Sequence, residues 1–434
     1  MSREMSPDLR LALGAAIRAH DTAAARSLLE THAELRPLLN QPAAELPFGA
    51  LPLMPVVQRW HREMVDLLLE FGADINARSD WWAGGFGVLD TCAPEVAPEL
   101  IARGAIVDAH AAARLGMMDR LQQLVARDPA LVHARGGDGQ TPLHFAASVD
   151  VAEYLLAHGA DIDAHDIDHE STPAQWMLRD RQNVARYLVE RGTRTDLLMT
   201  VALGDLARTQ QHLDADPDCV RISVTERWFP KQKPRAGGSI YIWTLGINRT
   251  AHAVARQFGH ADVLALLLER SPAVVKLAVA CETGDEKGAK SILATRPALL
   301  ESLTDQELGR LPDAVEDEHH EASRLMLAVG WPVDAPGQHG GTALHWAAWH
   351  GDRAMVREIL RHRPALEIRD RDYDGTPLGW AIHASVHGWH PGRGDYAGVV
   401  ADLMAAGAVA PAPSDELEAS EAVRAALAHR AHGG

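Results

Sequence analysis

The chain has 434 residues, 47% apolar and 23% charged, the balance of an ordinary folded protein, and no run nears the roughly 18 apolar residues of a membrane span. A formal net charge of -17, from 59 acidic and 42 basic side chains, opposes a nucleic-acid partner, which would bind against that field. Three separated cysteines, Cys92, Cys219 and Cys281, exclude a disulfide framework and zinc-type cysteine spacing, and point to a reducing, cytoplasmic setting.

The chain opens MSREMSP, with charges and a proline where the apolar stretch of a secretory leader would lie. From Leu9 to Ala410 apolar periodicity predicts roughly a dozen helical pairs. EMVDLLLEFGADINA (63–77) reads as the second helix of one pair, and WWAGGFG (81–87) as an irregular turn after it. AHAAARLGMMDRLQQLVARDP (109–129) is a pair joined at a Gly-Met link. GQTPLHFAASVDVAEYLLAHGADI (139–162) is the fullest unit. There Thr141 caps a helix start, Pro142 suits its first turn, and Gly159 supplies the left-handed residue at a helix end, as Gly72 and Gly192 do elsewhere. STPAQWMLRDRQNVARYLVERG (171–192) is a weaker copy.

LLMTVALGDLARTQQHLDADPD (197–218) and VKLAVACETGDEKGAKSILATRP (275–297) share with 109–129 a second repeat type that lacks Thr-Pro-Leu-His. Between them lie a long insertion, ISVTERWFPKQKPRAGGSIYI (222–242), which reads as an extended finger, and the unit TAHAVARQFGHADVLALLLE (250–269). GTALHWAAWHGDRAMVREIL (341–360) and GTPLGWAI (375–382), with Thr376 as cap, return to the first type, and ASVHGWHPGRGDY (384–396) interrupts the last pair. SDELEASEAVRAALAHR (414–430) reads as a polar capping helix with Ser414 as N-cap.

These segments resemble the ankyrin repeat. In that family Thr-Pro-Leu-His opens a first helix, Gly-His starts the link to a second, a Leu-Leu pair packs it, and Gly-Ala-Asp ends it before a finger turn. The resemblance covers nearly the whole chain. It implies an all-α solenoid over residues 1–413, a capping helix and tail over 414–434, and a concave groove for a protein or peptide partner. It also implies structural roles for His144 and His345, which would bond the backbone of a neighbouring turn, and for His61 and His260 after the linking residue.

Candidate chemistry concentrates where the pattern is broken. Trp supplies 11 of the aromatic residues, against six Phe and five Tyr, an enrichment common at binding surfaces. In AAWHGD, Trp349 and His350 take the two variable positions that face the groove in the family, and His383 takes the register of Trp349 in the next repeat. His387, Trp389, His390, Arg393 and Asp395 follow in the inserted loop, Tyr373 and Asp374 come from the finger of that repeat, and His339 from the finger before.

Two readings follow. Trp349, Trp389, His390, Tyr373 and His339 would bind a ligand, and His383, His350 and His387 with Asp374 or Asp395 would supply acid–base chemistry. Against this stands plain space-filling and turn capping; Trp346 and Trp380, at a framework position, read as core. His383 and His387 have the i, i+4 spacing used by metal sites, but the first helix is expected to end near His383, so neither a metal nor a cofactor is assigned.

Two further groups are Trp81 and Trp82 with Asp90 on the early irregular turn, and Arg227, Lys231, Tyr241, Trp243 and His252 in and after the insertion. His252 occupies a position the family fills with a buried leucine, where an imidazole needs a partner. No phosphate loop, nucleophile elbow or His-Glu-x-x-His motif is present. The sequence supports a cytoplasmic recognition scaffold for a protein or peptide. The alternative is an enzyme or small-molecule binder acting on a polar, ring-shaped substrate stacked on Trp349 or Trp389. Oligomeric state is left open.

Overall fold

The computed structural model describes residues 7–412 and 418–431; Ser414, the expected cap of the last helix, lies outside them. The chain forms two compact units, Met1–Val263 and Leu264–Gly434. The described residues are helices and turns, with one isolated bridge between Ser223 and Thr250. Among the described residues no helix is long and apolar enough to cross a membrane.

Each unit is a stack of helix pairs in two rows. In the second unit Arg310–Glu316, Ala343–Trp349 and Pro377–His387 form one row, and His320–Ala328, Arg353–Leu360 and Tyr396–Ala406 the other. Glu421–Ala431 packs on Tyr396–Ala406 at the end of the stack. Short first helices pack closely because Ala343, Ala347, Ala348, Ala381 and Ala384 carry little side chain and are all buried. In the first unit the pairs Leu53–Gln58 with Arg62–Glu70 and Ala109–Arg114 with Met118–Arg127 repeat the arrangement.

The helix boundaries follow the expected chemistry. Thr376 Oγ1 accepts from the N–H of Gly379 at 3.1 Å, and the helix Val149–Ala157 is followed by Gly159 at φ +91°. His144 and His345 are repeat-to-repeat fasteners. Nδ1 of each accepts from its helix-opening threonine N–H, Thr141 at 3.1 Å and Thr342 at 3.0 Å. Nε2 of each donates to the next finger, to the Ser171 carbonyl at 3.2 Å and the Gly375 carbonyl at 3.1 Å.

One boundary departs from expectation. The helix beginning at Pro377 runs on to His387 and does not end near His383. Ala384 and Ser385 on the added turn are buried, and Ser385 Oγ accepts from the N–H of Ser420 at 2.9 Å, so the packed face continues until Gly388. The insertion 222–242 is an extended finger pinned by its backbone. Gly237 N–H donates to the Asp168 carbonyl at 2.9 Å, Ile240 N–H to Ser171 Oγ at 3.1 Å, and Gln232 N–H to Glu170 Oε2 at 2.7 Å.

Candidate functional site

In the second unit, rings from successive repeats form one connected cluster. Trp346 and Trp380 are buried and meet edge to face at 5.1 Å between centroids, confirming them as core. Trp349 lies over them, 5.8 Å from Trp380, and His383 stacks on it at 6.1 Å. Trp389 closes the cluster from the inserted loop, 5.9 Å from Trp346, 6.0 Å from Trp349 and 5.4 Å from His350, while its outer face leaves it 57% exposed.

His350 was expected to face solvent and instead is only 6% exposed. Its Nε2 donates to the Glu316 carbonyl at 2.9 Å, which leaves Nδ1 as the unprotonated nitrogen. Burial lowers its pKa, and Glu318 opposes that fall. Nδ1 of His350 and the indole nitrogens of Trp346 and Trp349 are buried without a hydrogen-bond partner among the described residues. Three such atoms in one ring cluster is unusual for a packed core.

The carboxylates named from sequence do not join these rings. Asp374 sits exposed at a finger tip, paired with Arg369 at 3.1 Å. Asp395 caps its helix by accepting from Gly398 N–H at 2.9 Å and pairs with Arg353 at 3.1 Å. Beside the inserted loop, Glu318 lies 3.4 Å from His390 and Glu418 2.8 Å from His387. Neither carries a sequence signal, since each arrives from another element. His383 and His387, with ring centroids 4.7 Å apart, project from the same helix, and His390 turns instead toward His350. Tyr373 is 70% exposed beside His339, whose Nδ1 lies 2.8 Å from Asp372 Oδ2.

The residues named in the first unit separate. Tyr241 is fully buried and donates from its hydroxyl to Asp196 Oδ2 at 2.7 Å, and His252 is buried as its position implied. Trp243 and Arg227 are exposed, and Lys231 pairs with Glu226 at 3.0 Å. Asp90 is buried in a capping arrangement, accepting from Gly87 N–H and paired with Arg78, each at 2.7 Å. Trp81 and Trp82 do meet other fingers. The Arg235 guanidinium from the insertion lies 5.1 Å over Trp82, and Trp81 Nε1 donates to Asp138 Oδ1 at 2.9 Å.

That last contact leads to a group the sequence did not reveal. Asp138, Asp168 and His169 gather at the tips of neighbouring fingers, all but covered. Burial pushes the Asp138 carboxyl up to about 6, His169 opposes the rise, and the Asp168 and Asp166 carboxylates add to it. A cavity of about 120 Å³ in this unit lies between Leu13, Ile17, Arg18, Leu38, Glu45 and Val56, and no candidate residue lines it.

Paired helices joined by finger turns and buried row against row make this a helical repeat protein. Ankyrin-repeat family models match residues 48–80, 109–198 in three copies, and 339–371, and the chain carries ankyrin repeats there. A serine/threonine-protein kinase, VIK, of Arabidopsis thaliana is 47% identical over 49 residues, 11% of this chain and 11% of that protein. The chain thus spans about a ninth of the length of this curated relative.

Proposed function

We propose that the protein is a recognition scaffold that holds a peptide segment of a protein partner on the ring cluster of its second unit. The observation that carries this reading is Trp389, whose exposed indole rests against Trp346, Trp349 and His350. A large ring held rigid from beneath loses little freedom on binding, which is why Trp so often anchors interfaces. Trp349 and His383 extend the surface along the row, and Glu318 and Glu418 stand at its imidazoles, so a peptide bearing a cationic side chain suits it. Ankyrin repeats in general serve protein recognition, a supporting argument by analogy.

The test uses a displayed random-peptide library panned on the purified full-length chain, followed by titration of recovered peptides. Recovered sequences should share a Lys or Arg, and Trp389→Ala should weaken their binding at least tenfold with helix content unchanged. Recovered peptides that bind Trp389→Ala as tightly as the parent protein would refute the assignment.

A further inference from the structure

The finger tips of the two units can be compared residue by residue. Asp138 and His339 each stand three residues before the threonine that opens a helix, with φ of 53° and 58°. Each gives its carbonyl to the next finger, Asp138 to Ile167 N–H and His339 to Arg371 N–H, both at 2.8 Å. In that next finger Asp168 and Asp372 correspond, since each lies two residues beyond an aspartate that receives an indole N–H, Asp166 from Trp176 and Asp370 from Trp380. In the second unit the facing side chains are complementary: His339 meets Asp372, which Arg371 also holds.

The first unit places two carboxylates at those same positions. Asp138 and Asp168 are 7% and 4% exposed, and neither meets a lysine or arginine among the described residues. Two acids so buried call for a counter-charge. His169 faces them with its Nε2. Its Nδ1 lies 2.8 Å from the Gly238 carbonyl, which can only accept, so that nitrogen carries the proton. Nε2 lies 3.6 Å from Asp168 Oδ2 and in the neutral ring offers its lone pair to the same space. One donor atom from each of Asp138, Asp168 and His169 lies within 4.8 Å of the other two.

Outer partners orient all three donors. Trp81 Nε1 holds Asp138, Gly237 N–H holds Asp168 Oδ1 at 3.2 Å, and the Gly238 carbonyl fixes the His169 ring. Such a supporting shell is typical of ligands aimed at a cation. Bond lengths of about 2.1 Å would bring the donors from within 4.8 Å to about 3.0–3.5 Å of one another, a closure of at most about 1.8 Å.

We infer that Asp138, Asp168 and His169 form a binding site for one divalent transition-metal cation, such as Zn²⁺ or Mn²⁺. Two carboxylates and an imidazole suit such ions and disfavour thiophilic ones. The cation neutralises the acid pair and, through Gly238, fastens the insertion 222–242 to the fingers of the first unit.

The full-length chain, stripped with chelator, is titrated with ZnCl2 by calorimetry and with CoCl2 by visible absorption. The expected result is uptake at this site with affinity at least ~100-fold weaker in Asp138→Asn and Asp168→Asn, since loss of outer partners alone costs 10–100-fold. Asp218→Asn, altered at an exposed carboxylate elsewhere in the first unit, should retain it. Undiminished uptake in both asparagine variants, or no uptake by the parent chain, overturns the inference. A measurement on the unaltered chain guards against misfolded variants: Zn²⁺ should slow tryptic cleavage after Lys231 and Arg235 in the insertion at least fivefold, and a cleavage rate indifferent to the ion counts against the site.

Discussion

Trp81 donates its indole N–H to Asp138 at 2.9 Å across 57 residues of sequence, joining the irregular early finger to the fullest repeat of the first unit. Trp81→Phe keeps the ring contacts with Phe48 but leaves a buried carboxylate oxygen without its donor. The expected loss is about 1–3 kcal/mol, read from the midpoint of urea unfolding followed by circular dichroism. A midpoint equal to that of the parent protein would show that water replaces the indole.

Gly84 in the same finger is a backbone requirement. Its φ is +138°, and a β-carbon there would stand 2.1 Å from the Gly136 carbonyl oxygen, where Gly84's own carbonyl accepts from Asp138 N–H. Gly84→Ala should destabilise by about 2 kcal/mol or more, combining backbone strain with separation of the two fingers. Thermal unfolding of the variant measures it.

The finger aspartate of the second unit offers a contrast between two neighbouring acids. Asp370 accepts from the N–H groups of Asp372, Tyr373 and Gly375 and from Trp380 Nε1, between 2.6 and 3.0 Å. Burial alone would raise its carboxyl pKa, and these four donors outweigh it and hold the pKa below the usual range. Asp370→Ala should cost about 3–5 kcal/mol, because four donors lose a charged acceptor together. Asp374→Asn, four residues on, exposed in an ion pair with Arg369 and tolerant of the left-handed φ of 54°, should change stability by less than about 1 kcal/mol.

His144 sets an acid limit on the fold. Burial lowers its pKa from 6.5 to about 3, with the hydrogen bond to the Ser171 carbonyl acting the other way. Between those values the unfolded chain takes up a proton that the folded chain refuses. Its contribution is therefore complete above pH 6.5 and lost progressively as pH falls toward 3, by at most about 1.4 kcal/mol per pH unit. His144→Gln should be less stable than the parent at pH 7, and the gap should narrow by pH 4.5 in paired urea titrations. A gap that stays constant with pH would contradict the assignment.

How much of this was readable in advance depends on whether a contact is local. Thr376 as a cap, Gly159 as a helix end and His144 as a fastener answer to spacings of a few residues, which a sequence displays directly. Trp349 and His383 could be paired because a repeat period converts sequence distance into neighbourhood. Glu318, Glu418 and the Asp138–Asp168–His169 group escaped notice because finger tips obey no apolar period, and their meetings depend on how one turn stacks on the next. His350 was misplaced for a related reason. The inserted loop brings Trp389 over it, and a loop that breaks the period cannot be positioned from the period.

The two finger aspartates, Asp166 and Asp370, bind an indole ten residues ahead in the same way, and each also accepts from the N–H groups three and five positions on. The turn is thus secured at its base, while residues 167–170 and 371–374 between the anchors differ almost entirely. Such a turn behaves as a cassette. Its tip can be rewritten, Ile-Asp-His-Glu in one finger and Arg-Asp-Tyr-Asp in the other, without asking the helices on either side to move, and new binding chemistry can be tried at the rim while the stack is kept.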